Sequence, residues 1–235
     1  MIGRGLSLLA LALAGAASAA ASPHVPFVGC PSDGQTGPTR APRARAVPRV
    51  PAAQAPLLAY YASADLGVLA PRGWHCFGLE GSNGSVLIVT PERHGFRDLQ
   101  DNPGGLHGPA VQLSLSLGAT SGRFEVARMI ARLFPAHRDF ARQVAAEGLG
   151  DPLPAGSYPT DRMQRISATE IAFTTPARLQ GLGTESRLAA DALPIEGVVI
   201  LHPEGDMDLV KLDVRLPAAQ SALAAAIVEG VRRER

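Results

Sequence analysis

His75 and Cys76 stand side by side in Trp74-His-Cys-Phe-Gly78. A thiol beside an imidazole is the raw material of a nucleophilic pair or a metal site. The segment reads as a strand, however, and adjacent strand residues point to opposite faces. That sets Trp74 and Cys76 on one side and His75 and Phe77 on the other. A second histidine, His107, lies in the glycine-rich run Asn102-Pro-Gly-Gly-Leu-His-Gly108. Such a backbone can cradle an anion, and an imidazole there titrates near neutral pH. The ordinary reading is a mobile loop, because the Gly-Lys-Ser/Thr ending of a phosphate loop is missing. His202, Glu204, Asp206 and Asp208 crowd one expected hairpin tip. Oxygen ligands at Asp206 and Asp208 suit a hard cation. The tip has too few acids for a calcium loop, and Glu-Gly-Asp is common turn chemistry, so no metal site is expected. His75 and His107 stay as candidate ligand-binding residues, or as acid–base groups in an enzyme, and no residue is assigned as catalytic.

No G-x-S-x-G elbow, H-E-x-x-H helix or C-x-x-C pair is present, and no cofactor is expected. Asn83-Gly84-Ser85 matches a glycosylation sequon, and Asp33 to Gly37 is polar turn sequence. The chemistry that does stand out belongs to Cys30 and Cys76, and its meaning depends on compartment. Residues 1–21 carry Arg4 as a positive start, an apolar run from Leu6 to Leu13, and small residues from Gly15 to Ala21. This is the pattern of a secretory signal peptide cleaved among Ala19 to Ala21, and it is too short for a spanning helix. The mature chain is therefore expected to be exported, to the periplasm or the medium, with no transmembrane segment. An even pair of cysteines there points to a Cys30–Cys76 disulfide. Closing a loop of about 46 residues would contribute roughly 4 kcal/mol in the chain-entropy model. The alternative takes Phe27-Val28-Gly29-Cys30 as a lipobox, making Cys30 a lipid anchor. Pro23, His24 and Pro26 separate this cysteine from the apolar run, which weighs against that reading.

About 214 residues remain after the signal, enough for one domain and a tail. The 22 basic and 21 acidic residues of the whole chain become 21 of each once Arg4 is removed. A neutral balance gives no argument for nucleic acid as partner. Lys211 is the only lysine, a bias that most simply reflects a GC-rich bacterial genome. Residues 22–56 read as an extended, weakly structured arm punctuated by Pro38, Pro42, Pro48, Pro51 and Pro56. Its Arg40, Arg43, Arg45 and Arg49 suggest either an electrostatic tether to an anionic polymer or, more simply, a solvated linker.

Residues 57–235 read as one domain. Strands are expected at Leu57 to Tyr61, Leu66 to Ala70 and Trp74 to Gly78, the last turning at Gly81-Ser-Asn-Gly84. Val86 to Val89 is apolar throughout, as in a strand buried on both faces. Val111, Leu113, Leu115 and Leu117 alternate with Gln112, Ser114 and Ser116, so that strand is expected to show one face to water or a thin cover. A helix capped by Ser121 carries Val126, Ile130, Leu133 and Phe134 to Pro135, and another runs from about His137 to Glu147. After a Gly/Pro-rich loop at 148–162 come strand-like segments near 164–174, 178–189, 195–202 and 207–216. Pro217 opens a terminal helix with Ala219, Leu223, Ile227 and Val231 on one face and Arg232, Arg233 and Arg235 at its negative end.

The order of strands, helices, strands and a final helix predicts an α+β fold, an antiparallel sheet covered by helices. In this order over residues 57–233, and in Leu69-Ala-Pro-Arg-Gly-Trp74, the chain resembles the PsbP-like group of small secreted α/β/α sandwich proteins. The resemblance implies an accessory or binding role without catalysis. The group has no fixed catalytic set, so no functional residue carries over. Cys30, Cys76 and the arm depart from the group's pattern. The expected function is an exported, monomeric, non-enzymatic binding or accessory protein of the bacterial envelope. Its partner would be an envelope protein or a small ligand held on the sheet face. The alternatives are a small envelope hydrolase using His107 or His75, and a lipoprotein anchored at Cys30.

Overall fold

Strand alternation divides the chain's apolar residues between two cores, one on each face of a large sheet. The computed structural model describes residues 24–234; residues 1–21, where a signal peptide and its cleavage among Ala19 to Ala21 are expected, lie outside the described residues. The proline-rich arm holds β1 (Phe27–Gly29) and β2 (Ser32–Gly34). There follow β3 (Leu58–Ala62), β4 (Gly67–Pro71), β5 (His75–Gly81), β6 (Gly84–Thr90), α1 (Phe96–Gln100) and β7 (Ala110–Ser116). Helices α2 (Arg123–Leu133) and α3 (Arg138–Ala146) lead into β8 (Arg162–Arg165), β9 (Glu170–Thr175), β10 (Ile195–His202), β11 (Asp208–Arg215) and α4 (Ala224–Glu234). The large sheet has eight strands in the order β2-β5-β6-β7-β11-β10-β9-β8, and a small one has three, β1-β3-β4. The architecture is α+β and largely antiparallel; the arm's strands make the two parallel pairings, β1 with β3 and β2 with β5.

One face of the large sheet, through Leu87, Val111, Leu113, Val210, Leu212 and Val214, packs on β3, β4 and the Leu223, Ile227 and Val231 face of α4. The other face, through Ile88, Ile171, Phe173, Val199, Leu201 and Leu209, packs under Leu99 of α1, Val126, Met129 and Ile130 of α2, and Val144 of α3. Helices thus lie on both faces, and on one of them α4 shares its layer with the small sheet. The β5–β6 hairpin needs Gly84, whose φ is +130°. A Cβ there would come within 1.9 Å of the Leu115 carbonyl oxygen on β7.

Several sequence expectations are corrected here. The arm is extended but is no free linker, because its strands add to the edges of both sheets. The Gln112 face of β7 is covered at one end only: Gln112 is 3% exposed beneath the helical layer, whereas Ser114 and Ser116 are half-buried at the other end. Helix α2 starts from Gly122, not Ser121. Thr120 Oγ1 accepts the Gly122 N–H, while the Ser121 hydroxyl meets that of Ser82. The segment near 164–174 is a hairpin of two strands, β8 and β9. Residues 178–189 form no strand but a loop with a short 3₁₀ turn, Leu182–Thr184. Gly181 and Gly183 lower strand preference there, and Asp161 accepts the Leu182 N–H at 2.8 Å, diverting it from a ladder. The terminal helix begins as a 3₁₀ segment, Ala218–Leu223, which leaves Ala219 exposed rather than on the buried face.

Candidate functional site

Lys211, Asp213 and Arg215 alternate along β11, so all three point to the helical side of the large sheet. Register places Lys211 beside Ser114 and Asp213 beside Gln112 of β7. All three charged residues are at most 3% exposed. Buried charges persist only when paired or hydrogen-bonded. The Lys211 ammonium donates to both Asp213 carboxylate oxygens at 2.6 and 2.7 Å and to the Glu185 carbonyl at 3.3 Å. It also lies 5.6 Å from the Phe173 ring centre. Burial pushes the Asp213 carboxyl up to about 6, against the pull of Lys211. The Arg215 guanidinium donates to the carbonyls of Leu106 and Ala189 at 2.6 Å each, and to that of Gly108. It therefore fastens the glycine-rich loop to the loop after the 3₁₀ turn. A bridge between Leu106 and Leu188 completes the tie, so the loop is held in place rather than mobile.

Next to this line, Glu185 gathers three donors. Arg128 reaches it at 3.0 Å, Arg132 at 2.7 Å and the Tyr158 hydroxyl at 2.8 Å, and Arg132 stacks on the Tyr158 ring at 4.3 Å. These charges are consumed within the molecule, and they fix the 180s loop against α2 and the sheet.

That loop presents Arg187 to a cleft of about 420 Å³ over the ends of β5, β6 and β7. Its walls include Phe96 and Gln100 of α1, Glu80, and the hydroxyl-bearing Ser114 and Ser116. The Arg187 guanidinium is half-buried and donates to the Leu99 carbonyl at 2.6 Å. Its backbone N–H donates to Gln112 Oε1 at 3.1 Å, and the Gln112 amide in turn donates to Ser114 Oγ. No ion pair joins Arg187 to a carboxylate among the described residues. Burial holds its pKa below the usual arginine value with no charge opposing that fall. Glu80 is engaged by the Ser32 hydroxyl. A cation without a counter-ion, beside hydroxyls in a walled cleft, is suited to hold a small acid.

The residues singled out from sequence are dispersed. Cys30 and Cys76 are joined in a disulfide, with Cα atoms 5.4 Å apart. A sulfur so bonded carries no lipid thioether. Moreover, β1 precedes Cys30 and pairs with β3, so cleavage at Cys30 would remove a strand. His107 Nδ1 lies 3.7 Å from Asp191 Oδ2, beyond hydrogen-bond reach, and its side chain is 67% exposed. Asp191 is committed to the backbone N–H groups of Gly108 and Ala192, which hold its pKa below the ordinary value. His75 opens β5 opposite Thr90, and its side chain makes no hydrogen bond or ion pair among the described residues. Neither histidine lines the cleft. At the hairpin tip Asp208 accepts the Gly118 N–H at 2.9 Å, and no group of three metal-ligating side chains occurs among the described residues.

No protein-family model, curated protein or solved structure matches this chain.

Sequence reasoning passed over Arg187, Lys211, Asp213 and Arg215. The signal was parity. In Leu209-Val-Lys-Leu-Asp-Val-Arg215 the three charges share one face of a strand whose other face is apolar. Because helices cover that face of the sheet, the three charges have no solvent to face and must be paired.

Proposed function

We propose that this chain is an exported, non-enzymatic binding or accessory protein. In this reading the sheet-face cleft at Arg187 receives a small polar molecule bearing a carboxylate or other acidic group. The observation that carries the reading is Arg187 itself, a half-buried arginine that lines a walled cleft and makes no ion pair among the described residues. Ser114 and Ser116 add hydroxyls, and Glu80 offers an acceptor to a hydroxyl or amine on the same ligand. The disulfide supports an oxidising compartment, and no helix among the described residues is long and apolar enough to cross a membrane. The PsbP-like resemblance points the same way, towards an accessory role. Binding is preferred to hydrolysis because Ser114 Oγ meets an amide rather than a base, and His107 stands apart from the cleft.

The test is calorimetric titration of the purified protein with a panel of amino acids, hydroxy acids and sugar acids. At least one class is expected to bind, and Arg187→Gln is expected to weaken it at least about tenfold. The variant should keep the wild-type far-UV spectrum. A panel that fails to bind at millimolar concentration, or equal binding by Arg187→Gln, overturns the assignment.

A further inference from the structure

A groove larger than the Arg187 cleft lies between the arm and α4. Its volume is about 1090 Å³, above the usual span of small-molecule sites. Val47 and Val50 of the arm and Ala225 and Ala226 of α4 give it an apolar floor, with Pro48 and Pro51 alongside. Arg45 and Arg49 stand exposed at its rim, and neither they nor Arg43 meets a carboxylate among the described residues. The groove's own acids are occupied. Glu229 pairs with Arg232 at 2.7 Å and Arg233 at 2.8 Å, and Glu234 accepts the Tyr60 hydroxyl at 2.9 Å. The arm backbone from residue 40 to 50 takes part in no hydrogen bond among the described residues.

From these features we infer that the groove is a docking site for an extended, acidic peptide segment of a partner protein. Each feature selects that occupant. The uncompensated arginines call for carboxylates, and the apolar floor calls for alternate apolar side chains. The open arm backbone offers donors and acceptors to a chain laid beside it, as in recognition by strand addition. An anionic lipid would answer the first two features and leave the arm backbone unpaired. The site is separate from the Arg187 cleft and does not depend on it.

The experiment is selection of a displayed library of random nonapeptides against the protein as its host produces it, followed by fluorescence polarisation with a labelled copy of an enriched sequence. Enriched peptides are expected to mix carboxylate with apolar residues. Binding should weaken at least about tenfold in Arg45→Gln/Arg49→Gln and in Ala225→Trp, which fills the groove from an exposed position. It should also weaken as salt rises from about 0.05 to 0.5 M, where exposed charges are screened. Arg187→Gln should bind as wild type. Failure to enrich, enrichment without acidic residues, binding unaffected by the double arginine variant, or capture of phosphatidylglycerol vesicles in place of peptide would each overturn the proposal.

Discussion

At residue scale the governing fact is that burial costs Asp213 more than Lys211 returns. The carboxyl titrates at about 6 although its partner ammonium is 2.6 Å away. The two residues are therefore expected to respond unequally to mutation. Lys211→Met leaves a fully buried carboxylate without its ion-pair partner and with only the weaker pull of Arg215, a loss of about 3–5 kcal/mol at pH 7. Asp213→Asn removes the costlier charge, and Lys211 keeps the Glu185 carbonyl and the Phe173 ring. Its effect should stay within about 1 kcal/mol, and the double variant should recover most of the Lys211→Met loss. Urea unfolding of the four proteins reads the cycle; equal losses from both single variants would refute the asymmetry. The pH dependence has a definite sign. A carboxyl raised in the folded state binds its proton more tightly there than when unfolded. Its contribution is full below the ordinary value of 3.8 and is lost as pH climbs through about 6. Across that window wild-type stability should fall relative to Asp213→Asn. A constant difference between the two proteins would contradict this.

Among the elements, the short arm strands depend most on covalent help. Cys30 lies between β1 and β2 and is bonded to Cys76 on β5, so one disulfide ties the edge strands of both sheets. Each arm strand has only three residues, too few to hold an edge on their own. Replacing both cysteines by alanine should cost up to about 4 kcal/mol in the chain-entropy model. It should also expose bonds in the arm to protease while β6, β7, β10 and β11 stay protected from hydrogen exchange. Uniform loss of protection would show that the arm is integral to the large sheet. The sequence made β6, β7, β10 and β11 legible because their apolar runs are long and their turns carry Gly or Pro. The arm strands escaped notice because proline density and polar residues outweighed segments that pair only at sheet edges. Helix α1 was missed for a related reason, since five residues with Phe96 and Leu99 show no periodicity. The cleft was the least legible part. Arg187 sits in a loop that reads as a strand, and only folding brings it into one cleft with Ser114.

For the whole molecule, the division into two sheets does not imply two folding units. The core between them is continuous: Tyr61 and Leu69 of the small sheet, Leu87, Leu113 and Leu212 of the large one, and Ile227 of α4 belong to one buried cluster. An element whose apolar face is completed by another sheet cannot open without exposing that sheet as well. Ile227→Ala, at the centre of this contact and fully buried, should lose about 2–5 kcal/mol and shift every structural probe together. The probes are well placed to tell. Trp74, Tyr60 and Tyr61 report from the small-sheet side and only Tyr158 from the other, whereas the far-UV signal is dominated by the large sheet and by the helices, most of which lie on its other side. Near-UV and far-UV unfolding curves should therefore coincide, in the native protein and in Ile227→Ala alike. They should coincide even after both cysteines are replaced, because the shared core, not the disulfide, couples the sheets. An earlier near-UV transition in the cysteine-free protein would mean that the disulfide supplies the coupling and that the small sheet with α4 is a separable unit.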